Sequence, residues 1–505
     1  MNRHVVVIGG GPAGTAAAAA ALRHGATVTL IDANEALGGQ YNRRIPADYG
    51  VRRPLAIGHG YAAAERRARL LHEHPRCEYL SRAAVFHLER HPEGGCPTVR
   101  LLIGVEGERR IHREVRGDAL IIATGAYDRV CPFPGWDLPG VYTAGAAQTL
   151  VKTQRLLIGR SVLVSGTGPF LLPVAHSLAL GGAQVRAVLE ANPARRILRH
   201  WAARPWELRH SAGKAAELLE YASSGLRHRI PLRPSTAVVA VAGDGRVEEA
   251  TVARLDEHWS PIPGSHTTVA VDAVAVSHGF TPQLELAIAA GARLTDSGFV
   301  SVDQRQRTTV ESVWAAGELT GIGGAQVAAV EGTVAGIAAA GGDPSHERGL
   351  TARHHTAGQF VARLAAAHPI GAGATDWSRP DTVICRCENT TRAELTTTWT
   401  GVAGTSYRAA KLATRAGLGP CQGRMCGAAV ADLRAAHSGA TDDATHPRAA
   451  HDAVPSETAD EAPGGRCDTA GCAPIGLAAA TPAARPLAAV VRLRELAELD
   501  TEGPS

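Results

Sequence analysis

Residues 4–34 read HVVVIGGGPAGTAAAAAALRHGATVTLIDAN. A short apolar run ends in a glycine-rich turn, an alanine-rich run follows, and a second apolar run ends in an acid. The two apolar runs predict buried parallel strands and the alanine run predicts the crossover helix between them, a complete βαβ unit. Gly9 allows the tight turn, Gly11 lets the backbone approach a pyrophosphate, and Gly14 lets the helix pack close to the strand. Pro12 and Ala13 open the helix, whose N-terminus faces the phosphate's negative charge. Asp32, 18 residues after Gly14, is placed to accept hydrogen bonds from ribose hydroxyls. A glycine motif alone is a weak signal, but here strand, glycines, helix and acid occur in order.

The rest of the chain sets the scale. At 505 residues, with 45% hydrophobic and 20% charged residues, it has the balance of a globular protein and the length of about three domains. A formal charge of +4 is too small and dispersed to argue for nucleic acid or an anionic membrane as a partner. No run approaches the roughly 18 apolar residues of a membrane span. The N-terminus lacks a signal-peptide cleavage pattern, so a cytoplasmic location is expected, with membrane contact left open only through a complex. Six of the nine cysteines lie beyond residue 380, four of them with ligand-like spacing, which points to a reduced compartment and a metal site rather than disulfides.

Three later segments follow the first unit: Gly38-Gly39-Gln40, ALIIATGA from Ala119 to Ala126, and VWAAGELTGIGGA from Val313 to Ala325. In this order they resemble the two-dinucleotide-domain flavoproteins of the pyridine nucleotide reductase superfamily. The resemblance implies FAD at the first turn, with Gly39 and Gln40 beside it. It implies that Ala123, Thr124 and Gly125 form a turn close to the flavin, and that the acid after Gly317 lies on the ribityl chain. That acid is Glu318 here, where the family usually has aspartate.

A second βαβ pattern runs from Ser161 to Glu190, SVLVSGTGPFLLPVAHSLALGGAQVRAVLE, with Gly166 and Gly168 in the turn and Glu190 closing the second strand. Leu171 occupies the third small position, so a bulky side chain sits where close approach is needed. NAD(H), another adenine nucleotide and a structural relic all remain open for this turn; a ribose contact from Glu190 would favour NAD over NADP, because the carboxylate repels a 2′-phosphate. The superfamily's disulfide reductases carry a redox cysteine pair after the first Gly-Gly segment or inside the nested domain. This sequence has neither, which argues against disulfide reduction. Cys77, Cys96 and Cys131 are isolated and read as structural.

VICRCENTTRAEL supplies Cys385 and Cys387, and GLGPCQGRMCG supplies Cys421 and Cys426. Four thiolates in Cys-x-Cys and Cys-x₄-Cys pairs suit an iron–sulfur cluster; zinc, whose structural sites more often use two-residue or longer gaps within each pair, is the alternative. The words CRCE and GPCQGRMC resemble the small helical [2Fe-2S] domain of bacterioferritin-associated ferredoxin. Arg386, Lys411, Arg415 and Arg424 lie close in sequence to these ligands, where positive charge would stabilise a negative cluster and raise its potential; a solvated basic face is the alternative.

Taken whole, the chain resembles the α subunits of bacterial opine dehydrogenases and of dye-linked proline and hydroxyproline dehydrogenases, and the B subunit of hydrogen cyanide synthases. PFPGWDLPGVYTAGAAQTLVK, GTGPFLLPVA and CRCE carry the likeness. It implies an α/β fold of two nested Rossmann-like dinucleotide-binding domains plus a small helical [2Fe-2S] domain. It also implies a partner, a smaller amino-acid-oxidase-like flavoprotein β subunit that oxidises the substrate, while this subunit relays electrons through FAD and the cluster to an unidentified acceptor. Two other functions stay open: a self-sufficient NAD(P)H-dependent reductase feeding a small redox protein, and a non-catalytic iron or redox sensor. The expected boundaries are 1–155 and 286–345 for the FAD domain, 156–285 for the nested domain, 346–380 for a linker, 381–437 for the cluster domain, 438–482 for a low-complexity linker carrying Cys467 and Cys472, and 483–505 for a tail that is ordered again around 485–499.

Overall fold

The computed structural model describes residues 2–46, 49, 60–203, 220–221, 223–401, 407–442, 487–489, 491–492 and 495. The chain opens as its sequence predicts: β1 (His4–Ile8), α1 (Pro12–Arg23) and β2 (Thr27–Ile31), followed by α2 (Tyr61–Glu73) and β3 (Cys77–Leu80). An antiparallel sheet of β4 (Ala83–Glu89), β5 (Thr98–Ile103) and β6 (Ile111–Val115) intervenes before β7 (Ala119–Ile122) returns to the first sheet. That sheet is completed by Val313–Ala315 and has parallel pairing throughout, with Val5 opposite Val28 and Ile8 opposite Ile31.

Alternation along β1 explains the layers. Val5 and Val7 pack with the α1 alanines, whereas Val6 and Ile8 pack with Ala83, Val85 and Leu88 of β4, because successive strand side chains face opposite ways. Helix α1 is buried along nearly its whole length, since the helix Gly324–Ala339 lies against its other side. A Cβ on Gly332 or Gly336 would stand 2.1 Å from the Ala13 carbonyl oxygen or 2.2 Å from that of Ala17. Only glycine lets the two backbones approach so closely, and only small residues fit on α1.

Strand β8 (Ala126–Asp128) leads out of the first body. The second parallel sheet contains β9 (Val141–Thr143), β10 (Ser161–Gly166), β11 (Gln184–Glu190), β12 (Leu232–Pro234) and Ala273–Ser277, with helices α3 (Ala144–Lys152) and α4 (Leu171–Leu180) on one face. Its other face packs on the antiparallel strands Thr236–Ala242 and Glu249–Arg254 and on Trp136, Trp259 and Trp377. The nested body therefore begins before residue 156: β9 pairs with Ala273–Ser277, and the expected boundary moves to the stretch between β8 and β9. The return strand Phe280–Pro282 pairs with β8 and ties the two bodies together.

The stretch 346–380, expected as a linker, instead carries an 18-residue helix, Leu350–Ala367, that packs on Gly324–Ala339 and on α5 (Ala194–Ala202). Beyond it, the strands Val383–Cys385 and Thr390–Thr391 and the helices Arg392–Thr400, Tyr407–Thr414 and Gly427–Asp442 enclose a core of Ile384, Leu395, Val430 and Leu433. Thr391 and Glu394 form a reciprocal capping box that fixes the start of the first of these helices. The last helix runs past the expected limit at 437. The remainder of the low-complexity stretch, with Cys467 and Cys472, lies outside the described residues. The C-terminal tail meets the first body where Ala488 N–H donates to the Phe86 carbonyl at 2.7 Å and Glu495 forms a two-pronged ion pair with Arg110.

Candidate functional site

The first glycine turn is built by contacts that exclude side chains. Gly9 has φ +109°, and a Cβ there would lie 2.3 Å from the Ala123 carbonyl oxygen; one on Gly14 would lie 1.7 Å from that of Gly9. Gly11 differs. Among the described residues, leaving out its chain neighbours, the nearest atom to its would-be Cβ is Gly39 Cα at 3.8 Å, so none of them demands glycine there. Helix α1 starts with Pro12, has no side-chain cap and carries no acid in its first turn, leaving its positive end for an anion.

Asp32 is buried beside this turn and accepts from the Gly10 N–H and from the backbone and side-chain N–H groups of Asn34. Burial pushes its carboxyl up, against these hydrogen bonds. Thr124 donates to the Gln283 carbonyl at 3.0 Å, which fixes the Ala123–Gly125 turn to the strand returning from the nested body. Gly317, with φ +87°, donates to the carboxylate of Glu331 at 2.8 Å. Glu318 accepts from Gly324 N–H at 2.8 Å, so its carboxylate caps the following helix.

All these residues except Gly14 and Glu331 line one cavity of about 2030 Å³, together with Gln40, Gly168, Glu190, Arg424 and Met425. Ordinary ligand pockets are roughly 300–1,000 Å³; this one has room for an extended dinucleotide and continues to the second turn.

At that second turn Gly166 (φ +147°) would press a Cβ to 1.7 Å from the Ser277 carbonyl oxygen, while Gly168 has open space around it. Leu171 is buried at the start of α4. Glu190 is already engaged: it accepts from Thr167 Oγ1, Gly168 N–H and Asn192 N–H at 2.8–2.9 Å, and His368 Nδ1 stands 3.3 Å away. Asn192 reaches Pro369, and Trp201 packs on Phe360. The helix Leu350–Ala367 and the residues just after it thus cover the acid end of the nested turn, a feature hidden in a stretch that reads as a linker.

Several side chains at or under the cavity have no motif to announce them. Asp128 accepts from Gly145 N–H at 3.0 Å, and burial pushes its carboxyl up. Burial also pushes the Lys152 ammonium down and lifts the Glu331 carboxyl to about 7. His278 is wholly buried, accepts from Cys131 N–H through Nδ1 at 3.1 Å and lies among Trp259 and Trp377. Desolvation holds its pKa down at about 3, so it stays neutral.

The four C-terminal cysteines meet. The Cys426 thiol is hydrogen-bonded to both Cys385 and Cys421, and Cys421 contacts Cys387. Those bonds from Cys426 pull Cys385 down to about 6 and Cys421 to about 4, while Cys426, as the donor, is pushed up. Backbone N–H groups of Gly417, Glu388 and Cys387 point at Cys385, and those of Met425 and Gly423 at Cys421. The loop that allows this has left-handed backbone at Arg415, Gly417, Gln422 and Gly423, and a Cβ on Gly419 would collide with Cys387 Cβ at 2.2 Å. Among the described residues, no three His, Cys, Asp or Glu side chains are already spaced around a single ion. The domain is seated on the nested body by Trp136 Nε1–H, which donates to the Val383 carbonyl, and by an Arg129–Asp432 ion pair.

Residues 3–332 match the family described as pyridine nucleotide-disulphide oxidoreductase. The chain is 33% identical to hydrogen cyanide synthase subunit HcnB of Pseudomonas aeruginosa, over 84% of this chain and 91% of that protein. It is 32% identical to the A subunit of the opine oxidase of Agrobacterium tumefaciens, over 86% of this chain and 85% of that one. Among solved structures, L-proline dehydrogenase from P. horikoshii shares the fold with a TM-score of 0.56 at 19% identity, over 87% of this chain and 75% of that one. No helix among the described residues is long and apolar enough to cross a membrane.

Proposed function

Because the chain belongs to the pyridine nucleotide-disulphide oxidoreductase family, we propose that it is the FAD- and [2Fe-2S]-bearing electron-transfer subunit of a heteromeric amino-acid- or opine-type dehydrogenase. Its relatives named above are themselves subunits, and the partner we propose is an amino-acid-oxidase-like flavoprotein that holds the substrate.

The residues suit both groups. Gly11 offers backbone without a side chain at an uncapped helix N-terminus, as a pyrophosphate needs, and Asp32 lies beside it for the ribose. Cys385, Cys387, Cys421 and Cys426 come together, with backbone N–H donors converging on Cys385 and Cys421, and their Cys-x-Cys and Cys-x₄-Cys spacing suits an iron–sulfur cluster better than zinc. FAD held at this turn would supply a carrier that accepts two electrons and releases them singly, as an iron–sulfur centre requires.

One observation carries the reading: Arg424 and Met425, between Cys421 and Cys426, form part of the wall of the cavity into which the first glycine turn opens. Arg424 holds that loop in place by donating to Glu285 at 3.2 Å and to the Ala488 carbonyl at 2.7 Å. No acid or base of this chain is required to act on a substrate carbon. Co-purification with the proteins encoded beside it tests the proposal: a substrate-oxidising flavoprotein partner is expected, with both flavin and iron–sulfur absorbance bleached by substrate only in the complex.

A second reading, an NAD(P)H-dependent reductase, draws on the continuity of the cavity from Gly11 to Gly168. Rapid bleaching of the isolated chain's flavin by NADH would favour it; the cover laid over the acid end of the nested turn by His368, Pro369 and the helix Leu350–Ala367 speaks for slow or no bleaching.

A further inference from the structure

The basic residues around the four cysteines are not equivalent. Arg415 is exposed and paired with Glu388 at 2.6 Å. Arg424 is neutralised by Glu285 and turned toward the cavity. Arg392 is bound to the carbonyls of Thr375 and Ser378. Arg386, between Cys385 and Cys387, is different: its Nε and Nη2 are buried and have no acceptor among the described residues. Its guanidinium lies 4.1 Å from the centre of the Trp136 ring. Trp136 is itself 2% exposed and held by its bond to the Val383 carbonyl.

Arg386 is half-buried, and Asp137 supplies part of its countercharge, but two buried donors left without an acceptor are costly. The face of Trp136 offsets part of that cost and fixes the plane of the guanidinium, but a ring face satisfies no N–H donor in that plane. Four cysteine thiolates with iron and sulfide carry net negative charge, which grows by one on reduction, and hydrogen bonds to the sulfurs raise the potential. The arginine's position between two ligands and its unused donors are therefore complementary to that charge.

We propose that Arg386, oriented by Trp136, is the positioning residue that stabilises the reduced state of the centre held by the four cysteines and so sets its potential. The inference rests on the [2Fe-2S] reading of those cysteines.

The test is a redox titration of the iron-loaded full-length protein, followed by visible absorption and electron paramagnetic resonance, for wild type, Arg386→Gln and Arg386→Lys. Arg386→Gln, with wild-type iron content, is expected to lower the equilibrium constant for reduction at least tenfold, about 59 mV for a one-electron step. Arg386→Lys keeps the charge but loses the fork, and is expected to fall between the two. If Arg386→Gln does not retain iron, Arg386→Lys carries the test with a threefold or greater drop. Variants that hold full iron and reduce within twofold of wild type would overturn the role and leave Arg386 as packing for Trp136. A wild-type protein that binds no iron would instead overturn the premise, and the proposal with it.

Discussion

Replacing Gly11 by alanine separates ligand approach from folding at a single position. The Gly11 backbone has φ −76° and ψ −172°, which any residue adopts, and among the described residues, chain neighbours aside, its added Cβ would find no atom nearer than 3.8 Å. The apo protein should therefore keep its stability or gain about 0.4–1 kcal/mol from a stiffer unfolded chain. A dinucleotide pyrophosphate packed against that backbone would meet the new methyl. Overpacking of this kind costs roughly 1–3 kcal/mol, or about 5- to 150-fold in FAD affinity. Gly14→Ala is the control, because its Cβ would lie 1.7 Å from the Gly9 carbonyl oxygen and must disturb the fold itself. The assays are FAD titration of apo protein by fluorescence quenching and thermal melting of the same apo samples. If Gly11→Ala binds FAD like wild type, the placement of the pyrophosphate at this turn is wrong; if it melts as low as Gly14→Ala, the fold itself needs glycine at position 11 and the separation of ligand approach from folding fails.

Other outcomes follow from buried groups. Burial lifts Glu331 from 4.5 to about 7, so across that window the folded chain keeps a proton that the unfolded chain releases; apo stability should fall by up to about 3 kcal/mol as pH rises through it and level off above. Glu331→Gln should flatten that part of the profile in denaturant titrations, and an unchanged slope would exclude Glu331 as its source. Gly336→Val places a side chain against the Ala17 carbonyl, where even a Cβ lies at 2.2 Å, and should lower stability by about 1–3 kcal/mol or more, read by chemical denaturation. Cys421→Ser should lose iron and its visible absorption; a variant with full iron and an unaltered spectrum would remove Cys421 from the ligand set.

The two glycine turns, the strands flanking them and the four cysteines were legible because each is written in contiguous residues whose types have few other uses. The three-residue strand β9 was not: it follows a Pro- and Gly-rich stretch and is too short to show a period, yet parallel pairing with Ala273–Ser277 recruits it. The helix Leu350–Ala367 reads as linker because its alanine-rich sequence has few large apolar residues and buries few of its side chains. It is held by neighbours distant in sequence. Asp128, Glu331 and the Arg386–Trp136 stack escaped for the same reason. Their character comes from burial and from partners that only the tertiary fold supplies, and nothing in the neighbouring letters signals a desolvated carboxyl. Glu318 was legible as an acid after Gly317, but not its attachment to the N-terminus of the next helix.

Dehydrogenase activity toward proline, glycine and opines with an artificial dye acceptor tests the relay assignment most directly. It is measured on the flavin- and iron-loaded isolated chain and on the same chain co-purified with its flavoprotein partner. Negligible turnover is expected from the isolated chain, and turnover by the complex is expected to bleach both the FAD and the iron–sulfur absorbance. Strong turnover by the isolated chain would contradict the relay assignment.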